Sequence, residues 1–325
     1  MLIRPRRNRK DPVIRKMIEE TTIRPSDMIY PLFVVHPDER SSEIASLPGI
    51  KRFHPADLES EIGHCVSLGV LTFVLFPVVP DKFKNKTATY SYASDNFYLR
   101  TIEDLKRKFP GIVLMSDVAM DPYSSDGHDG LVENGRILND ETLDVLGKMA
   151  VAQAEAGIDI IGPSDMMDGR VRYLRDALDT HNFDHVSIMS YSAKYASAFY
   201  GPFRDALDSA PKSGDKKTYQ MNPANKREAL REAKLDEEEG ADFLMIKPAL
   251  NYLDVIHLIK ENTHLPVAAY NVSGEYAMLM AACEKGWLDY RLAMPEMLLS
   301  IRRAGADIIL TYFAKDFARL CKEGV

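Results

Sequence analysis

Residues 69–77 read GVLTFVLFP, one of eight short apolar runs that decide the fold. Runs of this kind, with little polar alternation, are typical of parallel strands that are buried on both faces. The first residues of the eight runs stretch from position 28 to position 308, about 40 residues apart, which leaves room for the helix that connects two parallel strands. The other seven runs are 28–34, 112–118, 158–164, 187–194, 243–248, 267–272 and 308–313.

Helical patterns occupy the intervals between these runs. Asn139 is a suitable N-cap for a helix over 140–156, and Gly240 is a suitable C-cap for a helix over 225–239. The alternation of strands and helices predicts an α/β fold, a (β/α)8 TIM barrel over residues 28–325. It follows an extended N-terminal arm over residues 1–27. Further helices are expected over 55–68, 252–261, 275–285, 294–304 and 315–322.

A doubly wound open sheet is the alternative arrangement of the same elements. A dinucleotide-binding sheet of that kind carries a GxGxxG motif directly after its first strand. The sequence that follows the first predicted strand has no such motif, so the closed barrel is favoured.

Composition and charge limit the class of protein. The chain has 325 residues with 41 basic and 48 acidic side chains, a net charge of −7, and 46% hydrophobic residues. This is ordinary globular usage, and the acidic balance argues against nucleic-acid binding. No apolar run reaches the ~20 residues that span a bilayer. The first residues lack the pattern of a secretory signal, and the three cysteines are far apart, so we expect a cytoplasmic protein without disulfides.

Two lysines stand at the predicted carboxyl ends of neighbouring strands, where (β/α)8 barrels carry their chemistry. Lys194 ends the fifth strand and Lys247 lies near the end of the sixth. Two confined ammonium groups disfavour each other's protonation, and burial acts in the same direction. A neutral amine can attack a carbonyl group and form a Schiff base, so we interpret both lysines as catalytic. The alternative is two side chains that extend into solvent. Other polar residues at predicted strand ends are Asp117, Ser164, Ser273 and Tyr312.

A long basic segment follows Lys194. Residues 195–220 read YASAFYGPFRDALDSAPKSGDKKTYQ, longer than a usual strand–helix connection. A basic lid over a pocket suits a substrate with a carboxylate, which arginine binds through two parallel hydrogen bonds. A solvated charged loop is the alternative interpretation. The candidate anchors in the lid are Arg204, Lys212, Lys216, Lys217 and Gln220.

A second long loop follows the third predicted strand and is rich in aspartate. Residues 117–130 read DVAMDPYSSDGHDG, and the aspartates are Asp117, Asp121, Asp126 and Asp129. Their oxygen atoms suit hard cations such as Mg²⁺ or Ca²⁺, although the spacing does not match an EF-hand. Aspartates are also common turn formers, so a metal site and a plain turn both remain open.

Four segments closely resemble the porphobilinogen synthase family, also called 5-aminolevulinate dehydratase. They are MSYSAKYASAFYGPFRDA at 189–206, PSDMMDGRV at 163–171, FLMIKPALNYLD at 243–254 and YNVSGEYAM at 270–278. The resemblance extends from about residue 4 to the C-terminus. It implies a TIM barrel with an extended arm that assembles as a homo-octamer. It also implies a hydro-lyase that condenses two molecules of 5-aminolevulinate into porphobilinogen, with loss of two waters, in tetrapyrrole synthesis.

The resemblance implies roles for the candidate residues. Lys247 would form a Schiff base with the first substrate molecule and Lys194 with the second. Asp117 would transfer protons near the reacting centre, and Ser164 would contact substrate. The carboxylate of the first substrate would be held by Ser273 and Tyr312, and that of the second by Arg204, Lys216 and Gln220.

The metal expectation also follows from the resemblance. Zinc-dependent members carry three cysteines in the loop after the third strand, and the corresponding residues here are Ala119, Asp121 and Asp129. Because no thiolate is available at these positions, catalytic zinc is not expected. The sequence is similar to the aspartate-rich, magnesium-responsive group, in which Glu232 matches the ligand of an allosteric Mg²⁺ near a subunit interface. Whether Asp121 and Asp129 bind a cation or the substrate amino group stays open.

A class I aldolase barrel is the nearest alternative enzyme. Aldolases of phosphorylated sugars need a phosphate site, often in the loops after the seventh and eighth strands. Here those loops read NVSGEYAM and TYFAKDFA, and together they contain a single glycine. A ligand-binding barrel without catalysis is a second alternative, and the two candidate lysines argue against it.

Overall fold

The computed structural model describes residues 1–208 and 211–324. Two predicted ranges extend past this part of the chain. The predicted lid includes residues 209 and 210, and the predicted barrel domain ends at residue 325; these three residues lie outside the described residues.

Eight parallel strands close into a barrel. Their order around it is β1, β4, β5, β8, β9, β10, β11 and β12, and β12 pairs with β1 through Met28 opposite Ile309. This closing pair excludes the open-sheet alternative, and each of the eight predicted runs overlaps one barrel strand. The strands are β1 (Met28–Val35), β2 (Ser42–Glu43), β3 (Lys51–Phe53), β4 (Thr72–Val78), β5 (Val113–Met115), β6 (Leu131–Glu133), β7 (Arg136–Leu138), β8 (Ile160–Ile161), β9 (Ser187–Lys194), β10 (Phe243–Lys247), β11 (Val267–Asn271) and β12 (Ile308–Thr311).

Helices cover the outside of the barrel, as expected for strands that are buried on both faces. All seven predicted helices are present, whereas α1, α3, α5 and α6 were not predicted. The helices are α1 (Pro12–Met17), α2 (Pro55–Leu68), α3 (Phe97–Lys108), α4 (Asn139–Glu155), α5 (Arg170–Thr180), α6 (Gly201–Leu207), α7 (Arg227–Glu238), α8 (Leu253–Lys260), α9 (Ser273–Glu284), α10 (Tyr290–Arg303) and α11 (Ala314–Glu323).

The predicted N-cap of α4 is wrong by one residue. Leu138 is the N-cap and Asn139 is the first helical residue, because strand β7 leads directly into the helix. The Asn139 side chain instead accepts a hydrogen bond from the Asp168 backbone N–H at 2.8 Å and donates one to the Asp168 carbonyl oxygen at 3.1 Å. Asn139 therefore holds the loop after β8 rather than the start of its own helix.

The long loop after the third barrel strand contains an antiparallel hairpin. Strands β6 and β7 pair from Leu131 opposite Leu138 to Glu133 opposite Arg136. Asn134 and Gly135 connect them, and both have positive φ angles, as a two-residue type I′ turn requires. The hairpin connects the aspartate-rich part of this loop to helix α4.

A Gly-Xxx-Asp tripeptide recurs at the amino ends of three barrel strands, at 157–159, 240–242 and 305–307. Each of these glycines has a positive φ angle, so the chain turns sharply from a helix into the strand. Each aspartate accepts a hydrogen bond from a backbone N–H of the preceding barrel strand, which satisfies a buried donor. The pairs are Asp159 with Leu114 at 2.7 Å, Asp242 with Ile188 at 2.7 Å and Asp307 with Val267 at 2.9 Å.

The predicted N-terminal arm lies outside the core. It contains α1 and two short 3-10 turns, at Pro5–Asn8 and Pro25–Asp27, and none of residues 1–26 is buried. Within the described part of the chain, no helix combines the length and the hydropathy needed to cross a bilayer.

Candidate active site

A cavity of about 30 Å³ lies at the carboxyl ends of the barrel strands, beneath the lid that follows β9. Eight predicted site residues line it, so positions far apart in sequence converge at the face where the barrel hypothesis placed the chemistry. The lining residues are Phe76, Asp117, Asp121, Ser164, Lys194, Tyr200, Phe203, Arg204, Lys216, Gln220 and Lys247.

Lys247 ends β10 directly beside Lys194 on β9, because the two residues are register partners in the parallel ladder. The Lys247 side chain is buried, and its residue exposure is 5%. Four aromatic rings surround its Nζ atom, with ring centres 4.5–5.3 Å away. Within the described chain, no acceptor forms a hydrogen bond or an ion pair with this nitrogen. The rings belong to Tyr191, Tyr200, Phe203 and Tyr270.

This environment changes the protonation of Lys247. Burial, followed by the charge of Lys194, lowers the pKa of Lys247 to about 7, against the opposing charge of Asp117. Desolvation disfavours the ammonium form because little solvent remains to stabilise it. Lys247 therefore has a substantial neutral fraction near pH 7, the form that can act as a nucleophile.

Lys194 is also buried, but its nitrogen has partners. It donates a hydrogen bond to the Ser164 carbonyl oxygen and lies 3.5 Å from Oδ2 of Asp129. The centre of the Tyr191 ring is 5.8 Å away. The two neighbouring lysines therefore differ: one is held by oxygen atoms and the other is enclosed by rings.

Asp117 lies at the end of the third barrel strand, close to both lysines. Burial, followed by the charge of Asp121, raises its pKa to about 7, while a hydrogen bond from Ser164 and the two lysine charges oppose the rise. Its buried Oδ1 atom has no hydrogen-bond partner within the described residues. The Gln153 side chain donates to the Asp117 carbonyl oxygen at 3.0 Å and fixes the backbone there. A carboxyl group with a pKa near 7 is suited to proton transfer at physiological pH.

Lys216 reaches from the lid to the aspartate loop. Its ammonium group lies 3.1 Å from Oδ2 of Asp121 and 2.6 Å from Oδ1 of Asp129. Burial acts against the Asp129 carboxylate, yet Lys216 and Lys194 outweigh it and the pKa of Asp129 is lowered. Burial raises the pKa of Asp121. The two carboxylates therefore bind an alkylammonium group in this structure.

The lid is fastened to the rest of the barrel face at several points. His128 contacts the Tyr219 hydroxyl at 3.1 Å and the Ser213 carbonyl oxygen at 2.9 Å. Arg52 donates from Nε to the Ala206 carbonyl oxygen at 2.8 Å, which anchors helix α6. Arg204 on α6 and the buried Gln220 both reach the cavity, and Oε1 of Gln220 has no partner in the part of the chain described.

Four residues with a predicted role do not line the cavity, and neither do the candidate lid anchors Lys212 and Lys217. Asp129 contacts it through the two lysines. Ser273 is the first residue of α9, and its hydroxyl accepts from the Phe203 backbone N–H at 3.0 Å. The Tyr312 hydroxyl lies 3.4 Å from that of Tyr270. Glu232 is half-buried on the outer helix α7.

Three aromatic residues that line the cavity were not predicted from the sequence: Phe76, Tyr200 and Phe203. Phe76 stands near the carboxyl end of a predicted strand, and this position was the available signal. The aromatic enclosure of Lys247 could not be predicted from local patterns, because its four side chains come from two strands and the lid.

The barrel and this cavity define a class of protein, a (β/α)8-barrel enzyme whose polar residues converge at the carboxyl face. A model of the family described as delta-aminolevulinic acid dehydratase matches residues 2–320. The chain belongs to that family. It is an enzyme of the lyase class, EC 4.2.1.24, with a role in tetrapyrrole synthesis. The family match favours this activity over the aldolase and non-catalytic alternatives.

Individual relatives agree over nearly the whole chain. The chloroplastic delta-aminolevulinic acid dehydratase of Physcomitrium patens is 57% identical, over 100% of this chain and 76% of its own length. That of Glycine max is 56% identical, over 98% and 78%. The crystal structure of delta-aminolevulinic acid dehydratase (porphobilinogen synthase) from Toxoplasma gondii ME49, in complex with its reaction product porphobilinogen, has a TM-score of 0.98. It is 51% identical and covers 100% of this chain and 93% of that one.

The expected cytoplasmic location is wrong. Close relatives from several plants are named chloroplastic, which points to the plastid. The expectation was based on a low cysteine count and on the lack of a secretory signal pattern. Neither feature distinguishes the cytosol from another reducing compartment.

Proposed function

We propose that this chain condenses two molecules of 5-aminolevulinate into porphobilinogen through Schiff bases on Lys247 and Lys194. The observation that carries this proposal is the Lys247 amine, which is buried among aromatic rings without an ionic partner in the described chain and lies beside a second lysine. Burying a lysine in this way is unfavourable for folding, and such perturbed groups are concentrated at functional sites.

The first step uses the neutral amine of Lys247. Its nitrogen attacks the ketone carbon of the first substrate, a C–N bond forms, and the carbonyl oxygen leaves as water to give the imine. The imine withdraws electrons from the adjacent carbon and eases loss of its proton. Asp117, with its pKa near 7, is the group that we assign to proton transfer. Lys194 forms the corresponding imine with the second substrate.

Binding both substrates in one site accounts for catalysis of a reaction between two molecules. It converts a bimolecular condensation into an oriented, nearly intramolecular one. We assign the carboxylate of the first substrate to Ser273 and Tyr312, and that of the second to Arg204, Lys216 and Gln220. Ser164 would contact substrate, since it lines the cavity beside Asp117.

The contact of Lys216 with two aspartates suggests how the second substrate enters. Asp121 and Asp129 hold the Lys216 ammonium in the present arrangement. We propose that the substrate amino group replaces it there, which frees Lys216 to bind the substrate carboxylate. The charge around each aspartate then stays balanced during the exchange, and no buried carboxylate loses its cation.

The lid opens before substrate binds. The cavity is narrow, at about 30 Å³, and it is lined closely by the strand ends and the lid. Displacement of the described lid residues, 195–208 and 211–220, would enlarge it, since Tyr200, Phe203, Arg204 and Lys216 form its outer wall. Closure of such segments excludes water from the reacting groups.

We propose that Mg²⁺ acts allosterically through Glu232. Burial raises the pKa of Glu232, and the nearby charges of Asp236, Asp168 and Glu228 act in the same direction against Arg170. An electronegative carboxylate of this kind suits a hard cation, and Mg²⁺ often keeps several waters and binds only one or two protein carboxylates. Such coordination does not require a cluster of three or more His, Cys, Asp or Glu side chains, and the described residues contain no cluster of that kind that could hold a metal ion. Catalytic zinc is not part of the proposal.

We also propose a homo-oligomer, with the octamer as its expected form. The arm exposes five large apolar side chains, each at least 75% exposed: Met1, Leu2, Ile3, Val13 and Met17. Apolar and arginine-rich segments of this kind are suited to packing on another subunit. Light scattering during size-exclusion chromatography measures the mass, and a monomer at micromolar concentration would contradict this proposal.

A colorimetric assay for porphobilinogen tests the proposed function. Purified protein incubated with 5-aminolevulinate should form porphobilinogen, and removal of divalent metal followed by added Mg²⁺ should modulate the rate. Zn²⁺ should not be required. Absence of porphobilinogen under all metal conditions would contradict the function, and an absolute zinc requirement would contradict the metal assignment.

A further inference from the structure

Glu275 is a buried carboxylate that the proposed mechanism does not use. It lies in the first turn of α9, two residues after Ser273, and its exposure is 0%. It does not line the cavity. A fully buried acidic residue is costly to fold, so its contacts should explain its presence.

The Glu275 carboxylate joins two segments of the barrel face. Its Oε1 atom accepts from the Leu250 backbone N–H at 2.7 Å, in the loop that begins directly after Lys247. Its Oε2 atom accepts from the Asn271 side chain at 2.9 Å and from the Val272 backbone N–H at 3.0 Å, at the end of β11. One side chain therefore fixes the carboxyl ends of β10 and β11 relative to each other.

The same network continues to the next strand. The Thr311 hydroxyl donates to Oδ1 of Asn271 at 2.9 Å, and Thr311 is the residue before Tyr312. The strand ends that bear Lys247, Ser273 and Tyr312 are thus connected through one carboxylate and one amide. These three residues are the ones assigned to the first substrate.

The first turn of α9 also contacts the lid. A Cβ atom added to Gly274 would lie 2.5 Å from the Phe199 carbonyl oxygen, so the lid backbone packs directly on this turn. The backbone N–H of Phe203 donates to the Ser273 hydroxyl, and the centre of the Phe203 ring lies 4.9 Å from Nζ of Lys247. Movement of this turn would therefore displace both a wall of the Lys247 environment and the lid.

Only an acidic side chain can satisfy this arrangement. The partners of Glu275 are all N–H donors, and a carboxylate offers two oxygen atoms that accept several hydrogen bonds. Burial raises the pKa of Glu275 to about 7, although the donors favour its charged form. A glutamine at this position would direct its NH₂ group either at the Leu250 donor or at the Asn271 and Val272 donors, and would leave them without an acceptor.

We propose that Glu275 is a positioning residue for the first substrate, acting through the Leu250 and Asn271 contacts to set the relative places of Lys247 and Ser273. This inference rests on the proposed Schiff-base function of Lys247. Glu275 itself does not touch the reacting atoms. Its role differs from general stabilisation because the strands it connects are the ones that carry the first-substrate residues.

Trapping of 5-aminolevulinate with borohydride, followed by peptide mass spectrometry, measures adducts on Lys247 and Lys194 separately. In Glu275→Gln we expect the Lys247 adduct to form about tenfold more slowly than in the wild type, since a misplacement of ~1 Å can cost about 10²-fold in rate. The Lys194 adduct should change much less. Thr311→Val, which removes one hydroxyl, should shift the Lys247-to-Lys194 ratio in the same direction by a smaller factor.

The matched control weakens a contact at the amino end of the barrel, between β10 and its other neighbour β9. Asp242 bonds Ile188 between β9 and β10, and Asp242→Ala removes this acceptor, which asparagine would retain. It should lower the melting temperature and leave the adduct ratio unchanged. An unchanged ratio in both Glu275→Gln and Thr311→Val would overturn the positioning role. A wild-type protein that forms no Lys247 adduct would instead overturn the proposed function.

Discussion

Charged residues at the two ends of this barrel have opposite environments: they are hydrogen-bonded at the amino end and poorly satisfied at the carboxyl end. At the amino end, the aspartates of the three Gly-Xxx-Asp turns each accept a backbone N–H of the neighbouring strand. Asp159 and Asp307 also pair with lysines at 2.8 and 2.6 Å. At the carboxyl end, Oδ1 of Asp117 has no hydrogen-bond partner in the described chain, and the pKa values of Asp117 and Lys247 both shift to about 7.

This difference separates the residues that stabilise the fold from those that serve the reaction. Satisfied polar groups at the amino end lower the energy of the folded state. Unsatisfied and desolvated groups at the carboxyl end raise it, and proteins retain such groups where activity needs them. Substitutions at the two ends should therefore have opposite effects on activity and on stability.

The largest expected effect is loss of turnover in Lys247→Met. Porphobilinogen formation should fall by about 10⁴-fold or more, the scale seen when a covalent nucleophile is removed. Steady-state assays check the rate, and circular dichroism checks that the variant is folded. Lys260→Met is the matched control, because Lys260 pairs with Asp307 at the amino end. Equal losses in the two variants would remove the distinction between the two ends.

The next effect is that of Gly274→Ala on the lid. The new methyl group would collide with the Phe199 backbone and force the lid away from α9. We expect kcat/KM for 5-aminolevulinate to fall by about 10²-fold, as for a ~1 Å displacement of a reacting group. Gly111→Ala is a suitable control, because no atom lies within 4 Å of its added Cβ. Wild-type kinetics in Gly274→Ala would show that this close contact is not needed for catalysis.

A smaller effect concerns stability and its dependence on pH. The pKa of Lys247 is lowered from 10.5 to about 7 on folding, so the unfolded chain binds an extra proton between these values. The resulting destabilisation is largest below pH 7 and disappears as the pH rises toward 10.5. The free energy of unfolding of Lys247→Met should therefore be about 2–4 kcal/mol higher than that of the wild type at pH 7. The difference should be smaller near pH 10. Urea unfolding at both pH values measures this, and a constant difference would contradict the lowered pKa.

The smallest expected effect on activity is that of Asp242→Ala. Loss of its hydrogen bond leaves the Ile188 N–H unsatisfied, which should cost about 1–3 kcal/mol of stability. Turnover should stay within about twofold of the wild type, because stability and chemistry reside at different ends of the barrel. Thermal unfolding and the porphobilinogen assay, run on the same preparation, check both values. A large activity loss in a folded variant would mean that the amino end takes part in catalysis.

The barrel itself could be predicted because strands that are buried on both faces are nearly continuous apolar runs in the sequence. Each strand is an apolar run, and the residues at the ends of β9 and β10 were correctly predicted to be neighbours. The start of α4 was misplaced because Asn139 is equally suited to capping and to bonding Asp168. The Gly-Xxx-Asp repeat was visible in the sequence, but its bonding partners lie on neighbouring strands.

The site could be predicted only in part, since its contacts are between distant positions. The pairing of Lys216 with Asp121 and Asp129 joins residues on two separate loops, and no local pattern predicts it. The aromatic enclosure of Lys247 and the bonds of Glu275 depend on the same closure of the barrel. Residue types indicated the chemistry, whereas tertiary packing determined which groups are satisfied and which are not.

The rate of borohydride trapping of 5-aminolevulinate on Lys247, measured as a function of pH, tests the central difference between the two ends most directly. If Lys247 is a desolvated amine with a pKa of about 7, the rate should rise with pH through a midpoint near 7. A midpoint near 10.5, the ordinary value for lysine, would contradict the account, as would an adduct confined to other lysines.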